Sequence, residues 1–438
     1  MNNKIVVRFA PSPTGSLHIG GARTAIYNIL FAKNKKATCI LRIDDTDLVR
    51  SDNKFSEEIT ESLKWLELIF QETYKQSLRF SIYDQYLEDL MDKGLVYSEK
   101  TEKGEALIFK AEKKPVVFND LIRGKITIDA EEVKDIVLKK SDGTPTYLFA
   151  STVDDIDLGV THIIRGEDHI SNTFKQKLLF QAISPDKTPF FAHLPLILSD
   201  DGSRLSKRHG ATSVLEFKKM GYLPEAIINY LMLLGWSPGN NTELLKFNEA
   251  GKLFNIENVR KSGSKFSYEK ALWMNGKYIA ETESEDLINR CIDLGMKNIE
   301  HYMYSNADKL IKTFNLTKSR MRLLTEFNDA VSYFFEPNII IPEKLLEKSI
   351  LKNNTFLNSL KKIKETISAI DDFTSENLDK SLRELILYLE LKTKDILIPL
   401  RIILTAREKT PGIFEVMELM GKELCLKRII DCSVSTTR

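Results

Sequence analysis

The chain lacks any long apolar run. No stretch reaches the roughly 18 apolar residues that a membrane-crossing helix needs, so no membrane association is expected. The opening Met1-Asn-Asn-Lys-Ile-Val-Val-Arg8 carries an apolar run too short for a signal-peptide core, and a cytoplasmic location is expected. Cysteine is scarce: Cys39, Cys291, Cys425 and Cys432 are scattered and form no C-x-x-C pair. That fits a reduced compartment and argues against a cysteine-held zinc site. Excess charge is missing too, because 63 Lys and Arg stand against 62 Asp and Glu, a net +1. A polyanionic partner would therefore need local basic patches. Internal repeats and low-complexity segments are absent. What remains is 438 residues, 42% hydrophobic and 29% charged. This composition excludes a disordered, collagenous or disulfide-scaffold chain, and the length accommodates two or three domains.

The first half alternates strand and helix signals. Ile5-Val-Val-Arg-Phe9 reads as a buried parallel strand, a Pro/Gly/Ser turn over 11–16 follows, and 22–32 has one apolar helical face. Residues 38–43 give the next strand and 56–66 the next helix, with Ser56 as its N-cap. This order predicts βαβ units and a doubly wound parallel sheet. Short strand-like runs over 94–138 (Leu107–Phe109, 115–118 and 125–128) predict a small insertion, and the α/β pattern resumes at 146–198. From Pro224 onward Gly and Pro are sparse and helices are predicted, among them 224–234, 381–391 and 412–430.

Three groups of residues suggest chemistry. Arg8-Phe-Ala-Pro-Ser-Pro-Thr-Gly-Ser-Leu-His-Ile-Gly-Gly21 joins a strand to a helix. Free backbone N–H groups and the positive helix end favour phosphate there, Gly20 and Gly21 permit close approach, and His18 can donate to a phosphoryl oxygen. A purely structural turn is the competing reading. Arg204-Leu-Ser-Lys-Arg208 presents three cations and a hydroxyl after a Gly-containing turn, suited to a polyphosphate whose charge grows in a transition state, or else a solvated basic loop. Arg8 lies at the end of the first strand, and Asp44-Asp45-Thr46-Asp47 and Arg165-Gly-Glu-Asp-His169 follow later strands, where α/β sheets bind ligands. They are placed to meet a small zwitterion, with helix capping as the other use of one or two of the aspartates.

Taken together, these motifs resemble the bacterial glutamyl-tRNA synthetases of the class I aminoacyl-tRNA synthetase family. His18-Ile-Gly-Gly21 is similar to the "HIGH" signature and Arg204-Leu-Ser-Lys-Arg208 to the "KMSKS" loop. Leu41-Arg-Ile-Asp-Asp-Thr-Asp47, Asp142-Gly-Thr-Pro-Thr-Tyr147, Val153-Asp-Asp155, Thr161–His169, Ser171-Asn-Thr173 and Leu234-Gly-Trp236 continue the likeness, which reaches Pro399-Leu-Arg401 and Gly421-Lys-Glu423. The resemblance implies an α/β fold: a Rossmann-like catalytic core with a small α+β insertion, then all-α tRNA-binding domains. The implied division is core 1–93 and 139–203, acceptor-end insertion 94–138, loop and stem-contact region 204–276, and helical anticodon-binding subdomains 277–355 and 356–438. It further implies a glutamate–tRNA ligase that forms glutamyl-adenylate from ATP and transfers glutamate to the 3′-terminal adenosine of tRNA-Glu, with tRNA-Gln left open as a second acceptor.

By the same resemblance Arg8, Tyr147 and Arg165 hold the glutamate side-chain carboxylate, a planar anion that guanidinium groups select over an amide. Asp44 binds the α-amino group, and Ser12 and Ser151 line the amino-acid pocket. His18, Gly20, Gly21, Arg204, Ser206 and Lys207 bind ATP, with His18 and Lys207 catalytic, and Arg401 contacts the anticodon loop. ATP with Mg²⁺, L-glutamate and tRNA are the implied ligands, and a monomer is expected. The Cys and His zinc ligands of some relatives are absent around Tyr97–Gly104, so no zinc is expected. Four departures stand out: Gly21 in place of the second signature His, Asp44 where many bacterial members have Glu, the shortened insertion, and Leu205 in the loop.

Overall fold

The computed structural model describes residues 4–47, 53–102, 104–206, 210, 212–239 and 241–435. Two compact units result, Met1–Met274 and Asn275–Arg438. The first contains strands β1 (Val6–Phe9), β2 (Thr38–Ile43), β3 (Glu72–Lys75), β4 (Val96–Thr101), β5 (Gly104–Phe109), β6 (Val116–Asp120), β7 (Gly124–Ile128), β8 (Ile136–Lys139), β9 (His162–Gly166) and β10 (Phe190–Leu194). Seven of these form one sheet in the order β3-β2-β1-β9-β10-β6-β7. All its pairings are parallel except the β6–β7 hairpin. The chain builds outward from β1 through β2 and β3, then returns to the other side of β1 with β9 and β10. That reversal creates a crevice at the carboxyl ends of β1 and β9.

Local chemistry explains these elements. All four residues of β1 are buried, as a strand covered on both faces requires. Helix α1 (Ile19–Lys35) starts at His18, whose Nδ1 accepts from the Gly20 N–H at 3.1 Å. It ends at Lys36 in the left-handed conformation, with Lys33 and Lys35 beside the negative helix end. In β6 burial alternates, so Val116, Phe118 and Asp120 share the inner face. Helices α2 (Asn53–Trp65), α3 (Phe80–Asp92), α4 (Tyr147–Asp157) and α5 (Ile170–Ile183) cross between strands. One core joins Phe118, Phe149, Val153, Ile163, Phe180 and Phe191.

Two local expectations need correction. Helix α2 begins at Asn53, so Ser56 lies within its first turn instead of capping it, and its carbonyl accepts from the Thr60 hydroxyl at 2.8 Å. The segment 94–138 divides between two sheets: β4, β5 and β8 form a three-stranded sheet, while β6 and β7 extend the main sheet through β10.

The second unit is helical among its described residues, from Ser284–Asp293 to Lys422–Ser435. A core there joins Phe356, Ile363, Leu378, Leu382, Leu400, Leu404 and Met417. The helix expected over 412–430 is two, Ile413–Met420 and Lys422–Ser435, because Gly421 takes φ +90° between them. Among the described residues no helix is long and apolar enough to cross a membrane.

Candidate active site

A cavity of about 560 Å³ opens at the crevice between β1 and β9. Its wall is built by the end of β1 (Arg8, Phe9), the start of α1 (His18, Gly20, Gly21), Tyr147 at the head of α4, the end of β9 (Arg165), the segment after it (Asp168, His169) and the loop with Arg204, Leu205 and Ser206. Sequentially distant residues thus meet because every contributing strand ends on the same side of the sheet.

One end of the cavity is cationic. Arg165 is buried, with Nη2 donating to Thr173 Oγ1 and Gln176 Oε1, both at 2.6 Å, and Nε facing His193 Nε2 at 3.4 Å. These partners are neutral. Its Nη1 is buried and makes no hydrogen bond. Burial lowers the guanidinium pKa, while the Tyr147 phenol and Asp155 oppose that shift. The Tyr147 hydroxyl lies 3.3 Å from His169 Nδ1. Burial and the Arg165 charge push His169 down to about 4, so it is neutral at pH 7. A buried cation with unspent donors is unfavourable unless an anion completes it.

Beside it lies an ion network. Arg42 is fully buried and forks onto Asp44, with Nε to Oδ1 at 2.7 Å and Nη2 to Oδ2 at 3.2 Å. Its Nη1 donates to Asp155 Oδ1 at 2.7 Å, and the same oxygen accepts from Arg8 Nε at 3.1 Å. Burial pushes the Asp44 carboxyl up to about 6; Arg42 pulls the other way, and the group is ionised at neutral pH. The cavity lining does not include Asp44, but its N–H bonds to Pro11 O, which does line it. Asp44 also acts electrostatically on Tyr147 and Arg8.

The other end suits phosphate. Capping by Nδ1 of His18 leaves the ring proton on Nε2. Gly20 and Gly21 present the first turn of α1 to the cavity. Arg204 is exposed and stands 3.8 Å from Asp168, while Leu205 is buried and its N–H bonds to Ile197 O, anchoring the loop. Lys207, expected in this loop, lies outside the described residues.

Not every expected residue reaches the wall. Ser12 is exposed on the turn, and Ser151 is fully buried, receiving a hydrogen bond from Gln176 Nε2 at 2.7 Å. Neither lines the cavity. Arg401, in the helix Thr393–Thr405 of the second unit, is half-buried with an unpaired Nε. Sequence reasoning gave no role to Arg42, Asp120, Asp155, Thr173, Gln176 or His193. For Arg42 and His193 a signal existed, since each interrupts an apolar strand, where an ionisable side chain needs a partner.

Comparison with known proteins shows the family of the chain. Residues 4–108 and 98–273 match the family of class I tRNA synthetase (E and Q) catalytic domains, and residues 287–432 match an anticodon binding domain. The glutamate–tRNA ligase of Thermodesulfovibrio yellowstonii is 38% identical, over 98% of this chain and 99% of its own. That of Aquifex aeolicus is also 38% identical, over 98% of each. A glutamate tRNA ligase from Elizabethkingia meningosepticum, solved with its amino acid, superposes with a TM-score of 0.89 at 30% identity, covering 99% of both chains.

Proposed function

The chain belongs to the class I tRNA synthetases for glutamate and glutamine, and from that premise we propose that it is a glutamate–tRNA ligase, activating L-glutamate with ATP and esterifying tRNA-Glu. The observation that carries the glutamate reading is the buried, unspent Nη1 of Arg165 at the cavity wall, next to Arg8 and Tyr147. An anionic side chain neutralises that end, whereas a neutral amide leaves the guanidinium charge uncompensated.

In this mechanism Arg165, Arg8 and Tyr147 hold the glutamate side-chain carboxylate, and Asp44, fixed by Arg42, attracts the α-ammonium. ATP enters as its Mg²⁺ complex, with the ion carried on the phosphate oxygens. The first turn of α1, His18 Nε2–H and the loop bearing Arg204, Ser206 and Lys207 receive the phosphates. The glutamate α-carboxylate attacks the α-phosphorus; a P–O bond forms to give glutamyl-adenylate, and the bond to pyrophosphate breaks. The 2′-OH of the tRNA terminal adenosine then attacks the acyl carbon, and AMP leaves. Positioning and charge stabilisation supply the rate, since no covalent protein intermediate is needed. In the helical unit Arg401 is the proposed anticodon-loop contact. The enzyme is proposed to act in the cytoplasm as a monomer.

The test is charging of purified tRNA-Glu and tRNA-Gln with labelled glutamate and ATP, beside a Lys207→Ala control. Charging of tRNA-Glu that the control abolishes is the expected result. Charging of tRNA-Gln as well would add a second acceptor. Binding of tRNA without charging of either would overturn the proposal.

A further inference from the structure

We infer that Asp120 and His193 are positioning residues for Arg165: Asp120 fixes the tautomer of His193, and His193 holds the guanidinium so that Nη1 is left for the amino-acid carboxylate. The inference rests on the reading of Arg165 as the carboxylate-binding group.

The strand register makes the contact. His193 in β10 pairs with Arg165 in β9, and Phe191, two residues earlier and on the same face, pairs with Asp120 at the end of β6. All three side chains are buried. Asp120 is itself held rigid. Its Oδ1 accepts from the N–H groups of Ile122 and Arg123, both at 2.9 Å, and its Oδ2 accepts from the His193 N–H at 3.0 Å.

That same Oδ2 lies 2.6 Å from His193 Nδ1. A carboxylate accepts and does not donate, so Nδ1 must carry the proton. A second ring proton would set a positive charge against Arg165 Nε at 3.4 Å in a buried site, and burial together with the Arg165 charge keeps His193 neutral. Nε2 is then a bare acceptor. It faces Arg165 Nε and lies 2.8 Å from the Thr173 hydroxyl, whose proton it shares with His169 O at 3.1 Å, while that hydroxyl's oxygen accepts from Arg165 Nη2.

A guanidinium has five N–H donors. Three are directed at His193, Thr173 and Gln176, and the two on Nη1 remain. A long, flexible arginine is thereby locked in one orientation before substrate arrives, which is what selective binding of a planar anion requires.

The experiment compares full-length Asp120→Asn, His193→Phe and His193→Gln with wild type. In Asp120→Asn the amide oxygen is needed by the Ile122 and Arg123 N–H groups and is also within reach of the His193 N–H, 3.3 Å from Oδ1. The amide nitrogen then faces the ring, donates to Nδ1 and drives the ring proton to Nε2, against Arg165. His193→Phe removes the acceptor outright, and His193→Gln restores a carbonyl acceptor. The expected result is a glutamate KM raised about tenfold or more in Asp120→Asn and His193→Phe, with the ATP KM within about twofold and discrimination against glutamine reduced. His193→Gln should recover part of the loss. Leu90→Ala, which opens the core away from the cavity, should lower stability without this KM split.

A second readout needs no functional variant. Nitrogen-15 spectra of the wild-type histidines, with His193 assigned by elimination using variants of the other five, should show protonated Nδ1 and bare Nε2. Protonated Nε2 or an imidazolium at pH 7.5 overturns the inference, as do unchanged glutamate KM values in Asp120→Asn and His193→Phe when wild type charges tRNA-Glu. If wild type itself charges no tRNA, it is the proposed function that fails, while the tautomer result still reports on the hydrogen-bond chain.

Discussion

Asp155 holds Arg8: its Oδ1 accepts from the Arg8 Nε at 3.1 Å while the same oxygen takes Arg42 Nη1 at 2.7 Å. Burial pushes the Asp155 carboxyl up, but Arg8 and Arg42 outweigh it and hold it below the usual carboxylate range. One carboxylate therefore fixes both an arginine of the cavity wall and the arginine that forks onto Asp44. Removing it leaves Arg8 buried without an anionic partner. Asp155→Ala is expected to lose about 3–5 kcal/mol of stability, visible as a clear fall in Tm, and to raise the glutamate KM. Asp155→Asn keeps an acceptor and should lose less. Thermal unfolding of the two variants checks this, and an Asp155→Ala Tm equal to wild type would sink it.

Arg165→Lys tests the anion end directly. Lysine offers a point charge on a flexible stem and cannot serve Thr173, Gln176, His193 and a substrate carboxylate together. The glutamate KM should rise about a hundredfold, with the ATP KM little changed. Charging rates at varied glutamate give the answer; an unmoved glutamate KM would refute the assignment.

Much of this was legible in the sequence and some of it was not, for physical reasons. The run Ile5–Phe9 and the glycines at 20 and 21 announce a buried strand and an open helix start, because burial on both faces and close backbone approach leave few other residue choices. Arg8 and Arg165 were marked by their place in the strands, Tyr147 and the carboxylate role of all three by the family resemblance, and the structure brings them to one cavity wall. The hydrogen-bond chain behind Arg165 was not legible. Asp120 and His193 are far apart in the chain, and only the β6–β10 pairing sets them side by side. Periodicity reports which face a residue takes and says nothing about the neighbouring strand. Ser12 and Ser151 failed to reach the wall for a related reason, since a turn's exposure and a helix's rotation are set by packing.

Gly421 separates two ways of reading the C-terminal helices. With φ +90° it sits where L-residues are strained, although a Cβ there would meet nothing within 4 Å. Gly421→Ala should therefore lower stability by about 1–3 kcal/mol without any steric clash. Were 412–430 one continuous helix, the same change would raise stability by about 1 kcal/mol. The direction of the Tm shift decides between them.

Asp44 links the site to pH. Burial sets its carboxyl at about 6, so it gains a proton as pH falls from 7 to 5.5. His169 lies near 4 and Tyr147 above its ordinary value, so neither changes charge in that window. A glutamate γ-carboxyl, which ordinarily titrates at about 4.3, stays ionised there. Loss of the Asp44 charge should weaken the grip on the α-ammonium, so the glutamate KM rises as pH falls. Asp44→Asn should show a high KM that is flat with pH. Stability moves in the opposite sense. A carboxyl whose folded pKa is raised from 3.8 takes up protons more readily folded than unfolded, so its contribution is fully present below that ordinary value and is lost as pH rises through about 6. Between pH 5.5 and 7 the wild type should thus bind glutamate better while this group's share of stability declines, and Asp44→Asn should remove both slopes. Parallel KM and Tm series over the window measure the two trends, and a wild-type KM independent of pH would rule Asp44 out as the ammonium partner.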